Sequence, residues 1–203
     1  KLNGNYLGTL GDIGCFSFFS NKNLVTGEGG MLVTDQNELA EKIRLLRSHA
    51  MTSQTWERYK GHAFSYDVAG LGYNYRIDEI RSAMGLVQLK KLIENNSLRE
   101  KHTRFYWQAL EEDNVSLPFY NYIMNHNATS AFHIFPILLP ADVNRSAIMG
   151  YLLENGIQTS IHYPPIHQFS YYKELLPNTV LPTTEEVSGH EMTLPLYPSM
   201  SQQ

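Results

Sequence analysis

One lysine stands in a setting suited to covalent chemistry. Lys22 follows a short apolar run, 13–19, and precedes the glycine-rich stretch 26–30. A lysine that attacks a carbonyl must first be neutral, which partial burial or a nearby positive centre favours. Ser17 lies five residues earlier, and its hydroxyl together with backbone N–H groups of a glycine-rich turn could hold a phosphate. The pair could anchor both ends of a phosphorylated aldehyde such as pyridoxal phosphate (PLP).

The same residues also fit ordinary structural roles. From spacing alone, Lys22 could be a solvated loop lysine, Ser17 a turn residue, and 26–30 a tight hairpin connection. A phosphoryl-transfer loop is a weaker alternative, because the G-x-x-x-x-G-K-[ST] spacing is absent. Residue chemistry by itself leaves these alternatives open.

The elements around Lys22 alternate between strand and helix. The run 13–19 predicts a buried strand, 31–34 a second strand, and 38–47 a helix with apolar residues at helical spacing. Residues 51–75 are aromatic and polar without a period, which indicates a long ordered loop of the kind that often carries function.

A long helical pattern follows over 78–110. Asn95, Asn96 and Ser97 interrupt it and predict the cap of a second helix, so a domain boundary is expected there, between 1–96 and 97–203. Beyond it, the pattern predicts a strand at 132–139, a helix at 144–155 stopped by a glycine, and a strand at 157–163. This order predicts an α/β first part and a small α+β second part.

Composition excludes several classes of protein. The net charge is −4 and the 16 basic residues are dispersed, so no nucleic-acid partner is expected. No apolar run approaches the ~20 residues of a membrane span. The single cysteine, Cys15, can form neither an internal disulfide nor a thiolate pair for zinc, which predicts no metal site and favours the cytoplasm.

The segment 11–30, GDIGCFSFFSNKNLVTGEGG, closely resembles the active-site lysine region of the DegT/DnrJ/StrS family of PLP-dependent sugar aminotransferases. The resemblance continues in the family's order through RSHA at 47–50, GYNYR at 72–76, GLVQL at 85–89, GI at 156–157, HYPPIH at 162–167 and LPLYP at 194–198. It spans essentially the whole chain. It implies the aspartate-aminotransferase-like fold, fold type I: the later part of the large PLP-binding domain, 1–96, and the small C-terminal domain, 97–203.

The resemblance also assigns roles to residues. Lys22 would hold PLP covalently, Ser17 would bind its phosphate, and Asn74 would reach the phosphate of the cofactor in the neighbouring subunit of a homodimer. By motif alone, Asn74 could be a turn cap and Arg76 a surface residue at a helix start. Four residues are assigned to the substrate pocket: Arg76, His162, Tyr163 and His167. The two histidines are otherwise most often structural, and they do not form a metal pair.

Two motifs depart from the family's pattern. Ala50 replaces the usual glycine of Arg-x-His-Gly, and 81–83 reads Arg-Ser-Ala where Gln-Ala-Ala is usual, which could alter the packing of that helix. The chain also lacks the upstream half that in the family carries the phosphate loop, the stacking aromatic and the Asp that pairs with the pyridine nitrogen. We therefore expect an internal piece of a longer protein that does not catalyse by itself.

The activity that the resemblance implies is transfer of an amino group, expected from glutamate, to a nucleotide-linked keto-sugar for polysaccharide, lipopolysaccharide or secondary-metabolite biosynthesis. Three alternatives remain. Family members that catalyse dehydration carry histidine in place of the lysine, and Lys22 argues against them. A non-catalytic PLP-binding sensor, or a protein-interaction module that docks through 51–75, stays open.

Overall fold

The computed structural model describes residues 1–52, 61, 65–125 and 128–201, which fall into two units, Lys1–Leu92 and Ile93–Gln203. Within the described residues, each unit contains one two-stranded antiparallel sheet. Part of the predicted loop 51–75, at 53–60 and 62–64, lies outside the described residues. Among the helices that the structure describes, none combines the length and apolar composition that a membrane crossing requires.

In the first unit, β1 (Gly14–Ser17) pairs with β2 (Gly30–Val33), so that Gly14 lies opposite Val33 and Ser17 opposite Gly30. Both predicted strands are confirmed. The predicted burial of the first strand is wrong, because only Gly14 is buried. A two-stranded ribbon covers neither of its own faces, so its apolar side chains stay exposed unless another layer packs on them.

The helix predicted after β2 is confirmed as α1 (Asn37–Leu46). Its apolar residues Leu39, Ile43 and Leu46 are half-buried, as expected for one face of an amphipathic helix.

The long helical pattern forms α2 (Glu79–Ala109), a single unbroken helix. The predicted interruption at Asn95, Asn96 and Ser97 is therefore wrong. Inside a helix, asparagine and serine are at most ~0.7 kcal/mol less favourable than alanine per residue, which neighbouring turns and packing can offset. Asn95 and Asn96 are both half-buried in the structure.

In the second unit, β3 (Phe135–Leu138) pairs antiparallel with β4 (Glu191–Leu194), and Phe135 lies opposite Leu194. Side chains alternate across a strand, so Phe135 and Ile137 point to the same side and are both buried. The buried apolar core of this unit comprises Trp107, Phe132, Phe135, Ile137, Leu139 and Met192.

The helix predicted at 144–155 is confirmed as α4 (Arg145–Glu154), preceded along the chain by the unpredicted α3 (Tyr120–Asn125). Asn144 caps α4, since its side chain accepts a hydrogen bond from Ala147 N at 3.1 Å. Gly156 follows with φ +79°, the left-handed conformation that commonly ends a helix. Sequence reasoning also missed α5 (Ser170–Leu175), α6 (Pro182–His190) and β4.

The strand predicted at 157–163 is wrong. The segment meets β4 at one bridge, where Ser160 and Thr193 exchange backbone hydrogen bonds of 3.0 and 2.9 Å. Pro164 and Pro165 then follow, and because proline has no N–H the pairing cannot be extended through them.

Candidate active site

Lys22 lies in the connection between β1 and β2, and backbone hydrogen bonds close this connection at its base. Phe18 N–H donates to the carbonyl of Gly29, and Thr26 N–H donates to the carbonyl of Phe18, both at 2.9 Å. Farther out, Lys22 N–H donates to Phe19 O at 3.0 Å. The backbone of Lys22 is thus held by Phe19, two residues after the end of β1.

Glycine is required where this connection returns to β2. Gly29 has φ +150°, and a Cβ there would lie 2.7 Å from Thr26 Oγ1. The Thr26 hydroxyl donates to Glu28 O at 2.8 Å, and the whole residue is buried. A Cβ on Gly85 of α2 would come within 3.2 Å of the Thr26 methyl group, so the helix packs closely on this threonine. The connection spans 18–29, which is longer than a tight hairpin turn.

The side chains of Lys22 and Ser17 are available for a ligand. Lys22 is half-buried, and none of the ion pairs among the described residues includes it. Ser17, the last residue of β1, is exposed, and its Oγ accepts a hydrogen bond from Phe19 N at 3.3 Å. An amine without a paired carboxylate and an exposed hydroxyl at one strand end fit a cofactor that carries an aldehyde and a phosphate.

Asn74 and Arg76 lie on a segment that pairs with the residues after α1. Tyr73 N–H donates to Leu46 O at 2.7 Å, and Tyr75 N–H donates to Arg47 O at 2.9 Å. These bonds hold the backbone on either side of Asn74. Its side chain is exposed and forms no hydrogen bond with the described residues.

Of the alternative structural roles, a turn cap formed by the Asn74 side chain is not seen among the described residues, whereas Arg76 is an exposed residue near the start of α2. Asp78 caps α2: its Oδ1 accepts from Arg81 N at 2.8 Å, and this bond, together with the Arg81 charge, lowers the pKa of the Asp78 carboxyl. Arg76 is exposed two residues before that cap.

In the second unit, His162 is held by β4. Its backbone N–H donates to Glu191 Oε2 at 2.8 Å, and its Nδ1 lies 2.8 Å from Thr193 Oγ1. The Thr193 hydroxyl donates in turn to Glu191 Oε1. Glu191 and Thr193 are buried, with exposed fractions of 4% and 5%. The backbone of His162 is thus held by Glu191 and its imidazole by Thr193, and both of these side chains are shielded from water.

Tyr163 and His167 have different surroundings. The Tyr163 ring is exposed and lies edge-on to His162, with centroids 4.7 Å apart. His167 is bonded through Nε2 to Glu185 Oε1 at 2.9 Å. Leu181 N–H donates to the same oxygen at 3.0 Å, and these two hydrogen bonds lower the pKa of Glu185. His167 thereby helps to fix the start of α6, and only its Nδ1 is left for a ligand.

Sequence reasoning missed Glu191 and Thr193. The available signal was their i, i+2 spacing in a short strand, which places both on one face, while Met192 between them enters the core. Four residues are too few to stand out as a periodic pattern. Among the described residues, no cluster of three or more histidine, cysteine or acidic side chains could hold a metal ion.

Comparison with known proteins decides the family. The whole chain, residues 1–203, matches the model of the DegT/DnrJ/EryC1/StrS aminotransferase family. The chain belongs to this family. It is 36% identical over 203 residues to the spore coat polysaccharide biosynthesis protein SpsC of Bacillus subtilis, covering 96% of this chain and 51% of that protein. It is 34% identical over 200 residues to the UDP-4-amino-4,6-dideoxy-N-acetyl-beta-L-altrosamine transaminase of Campylobacter jejuni, covering 98% of this chain and 50% of the relative.

The fold is that of the sugar aminotransferases in this family. Superposition on Helicobacter pylori PseC, an aminotransferase involved in the biosynthesis of pseudaminic acid, gives a TM-score of 0.88 at 29% identity. All of this chain and 52% of PseC are covered. The α/β, PLP-dependent transferase fold expected from the sequence is therefore confirmed. The chain spans about half the length of the curated relatives it matches.

Both departures from the family's motifs have a local structural setting. Ala50 is fully buried and has φ +53°, in the left-handed region that favours glycine. Arg81 forms an ion pair with Asp78, and Ser82 Oγ donates to Asp78 O at 2.8 Å. The residues that replace the family's usual Gln-Ala therefore reinforce the first turn of α2 around its Asp78 cap.

Proposed function

We propose that the polypeptide carrying this sequence is a PLP-dependent aminotransferase that moves an amino group from an amino acid, expected to be glutamate, to a nucleotide-linked keto-sugar. The observation that carries the proposal is Lys22: in a member of this family, a half-buried lysine without an ion-pair partner among the described residues lies in the connection that follows β1, the strand that ends at the exposed Ser17. The Campylobacter relative, named a transaminase of a UDP-linked amino sugar, supports sugar chemistry. The product would serve polysaccharide, lipopolysaccharide or secondary-metabolite biosynthesis.

Each residue at the cofactor has a defined task in this proposal. Lys22 Nζ holds PLP covalently between turnovers, and it takes up and returns a proton during turnover. Ser17 Oγ donates to the phosphate. Asn74 reaches the phosphate bound in the neighbouring subunit of a homodimer, a role that its exposed side chain supports. When bound, PLP supplies the electron sink that allows an amino group to move between two carbon atoms.

Four residues are proposed to contact the substrates. Arg76 offers an exposed cation to an anionic group, Tyr163 an exposed ring, and His162 an imidazole whose Nε2 is unbonded among the described residues. His167 contributes only through Nδ1, because Glu185 occupies its Nε2.

The proposal also covers the domains and the setting. Residues 1–96 are assigned to the large PLP-binding domain and 97–203 to the small domain. The protein is placed in the cytoplasm, which the single cysteine supports. Since the chain spans about half the length of its relatives, we do not expect it to catalyse without the remaining half.

Borohydride trapping tests the central residue. The chain and a longer parent polypeptide are incubated with PLP, reduced and mapped by peptide mass. We expect the pyridoxyl mass on Lys22 in the parent and none in Lys22→Ala. Lys42→Ala, which removes an exposed lysine of α1 in the same unit, is the matched control and should label like the parent.

The other outcomes separate the alternatives. Labelling spread over several surface lysines of the parent, or no labelling, would remove the catalytic proposal and favour an interaction module. Labelling of Lys22 with no spectral change on adding glutamate or other amino donors would favour a PLP-binding sensor. If the parent is labelled and the 203-residue chain is not, the result supports the proposal that PLP binding needs the remaining half.

A further inference from the structure

Three residues of the second unit, His162, Glu191 and Thr193, form a closed set of hydrogen bonds that includes the backbone N–H of His162. Glu191 Oε2 accepts from the backbone N–H of His162, and Glu191 Oε1 accepts from the Thr193 hydroxyl. Thr193 Oγ1 lies 2.8 Å from His162 Nδ1. Both carboxylate oxygens and the hydroxyl are therefore engaged, and each bond in the set constrains the others.

These hydrogen bonds determine which ring nitrogen of His162 carries the hydrogen. A carboxylate only accepts hydrogen bonds, and a threonine hydroxyl has one proton to donate. Since Thr193 donates that proton to Glu191, its oxygen can only accept from His162. Nδ1 therefore carries a hydrogen, and in the neutral ring Nε2 is an acceptor.

Burial keeps this arrangement in place. Glu191 and Thr193 are almost inaccessible to water, so solvent cannot replace either partner easily. Met192 lies between them, with an exposed fraction of 2%, and anchors the opposite face of β4 in the core. The backbone carbonyl of Glu191 also accepts from Arg145 Nη1 at 2.9 Å. The strand β4, which carries Glu191 and Thr193, is thus held both by Met192 in the core and by Arg145.

The free nitrogen of His162 has a different environment. No described residue forms a hydrogen bond with Nε2, and His162 as a whole is half-buried. A buried pair that fixes one imidazole nitrogen while the other stays unbonded is how proteins select a tautomer for a ligand.

We propose that Glu191 and Thr193 are positioning residues that hold His162 with its proton on Nδ1, so that Nε2 accepts a hydrogen bond from a hydroxyl group of the sugar substrate. The inference rests on the proposed function for the identity of the ligand. A neutral acceptor matches a sugar hydroxyl, which donates, and does not match the carboxylates of an amino-acid donor or a phosphate, which accept.

The tautomer can be measured without any enzymatic activity. In the full polypeptide labelled with ¹⁵N, we expect the two ring nitrogens of His162 to show the Nδ1-protonated pattern, assigned by its loss in His162→Asn. Thr193→Val keeps the shape and removes the hydroxyl, so the Nδ1-protonated pattern should weaken. Thr193→Ser should keep it. A wild-type protein with the proton on Nε2 would overturn the inference before any variant is made.

Steady-state kinetics then tests the ligand. Loss of the fixed tautomer should raise KM for the keto-sugar by about 2-fold to 10-fold in Thr193→Val and Glu191→Gln, the range for one neutral hydrogen bond, with KM for the amino donor unchanged. Thr193→Ser should restore the wild-type value, and Thr183→Val, at an exposed threonine of α6, is the control for the substitution itself.

The outcomes distinguish this inference from the proposed function. If the tautomer shifts in Thr193→Val but KM rises for the amino donor instead, the positioning role holds and the sugar assignment is wrong. If neither the tautomer nor either KM responds, the positioning role is wrong even though Lys22 still carries PLP. Failure of the proposed function would instead appear as the absence of PLP on Lys22, with the tautomer result unaffected.

Discussion

An added methyl group on Gly72 should disturb the segment that carries Asn74, residues 72–76, which is called the Asn74 segment below. A Cβ on Gly72 would lie 2.2 Å from Ala50 N and 2.4 Å from the carbonyl carbon of His49. Non-bonded atoms of this kind prefer about 3.5 Å or more, so a gap of roughly 1.3 Å has to open. Both obstructing atoms belong to the backbone and cannot rotate away as the end of a side chain can.

Moving the Asn74 segment away from Ala50 would stretch the hydrogen bonds that join it to residues 46–49. His49 N–H donates to Tyr73 O at 2.9 Å, and Tyr73 N–H donates to Leu46 O at 2.7 Å. Opening the gap stretches both beyond hydrogen-bonding distance, and two such bonds at about 0.5–1.5 kcal/mol each give a loss of about 1–3 kcal/mol. The usual cost of overpacking, also about 1–3 kcal/mol, leads to the same range.

The assay compares Gly72→Ala with Gly70→Ala in the longer polypeptide. A Cβ on Gly70 meets no atom of the described residues within 4 Å, so this control should stay within about 0.5 kcal/mol of the wild type. We expect Gly72→Ala to lower the free energy of unfolding in urea by about 1–3 kcal/mol. It should also weaken PLP binding, because Asn74 follows two residues later. Equal stability of the two variants would refute the steric argument.

Two further substitutions test contacts of the second unit. The pKa of Glu185 is lowered chiefly by Leu181 N–H and then by His167, so its stabilising effect is present above its unfolded pKa and is lost as pH falls through the lowered folded pKa. Glu185→Gln should therefore flatten the decline of Tm below about pH 5, and parallel Tm curves would contradict this. Burial raises the pKa of Tyr106, whose hydroxyl donates to Pro195 O at 3.0 Å. Tyr106→Phe should cost about 0.5–1.5 kcal/mol in urea denaturation, and a variant as stable as the wild type would mean that water replaces the donor.

The parts of the fold that could be predicted are those whose signals are local. The helix α4 is the clearest example, because Asn144 supplies a cap, Gly156 supplies the left-handed end, and the apolar spacing lies between them. Cap residues are informative only together with the rest of the pattern. At Asn95 and Asn96 the same residue type lies inside α2, where the helix simply continues.

The parts that could not be predicted depend on residues far apart in the chain. The carboxylate and the hydroxyl that fix His162 come from 29 and 31 positions later. Nothing near His162 indicates which nitrogen carries the proton, and nothing near Glu191 indicates that its carboxylate is buried. The motif at 162–167 therefore locates the histidine, while only the pairing around β4 reveals its chemistry.

Ala50 replaces the family's usual glycine, and its conformation and burial explain how an alanine is accommodated at this position. At φ +53°, an alanine is about 1–2 kcal/mol less favourable than a glycine. Two effects oppose this cost. The methyl group is completely buried, which contributes about 0.8 kcal/mol, and alanine restricts the unfolded chain relative to glycine by about 0.4–1 kcal/mol. The opposing contributions nearly cancel, so alanine can occupy the family's usual glycine position without displacing Gly72 or the Asn74 segment that packs beside it.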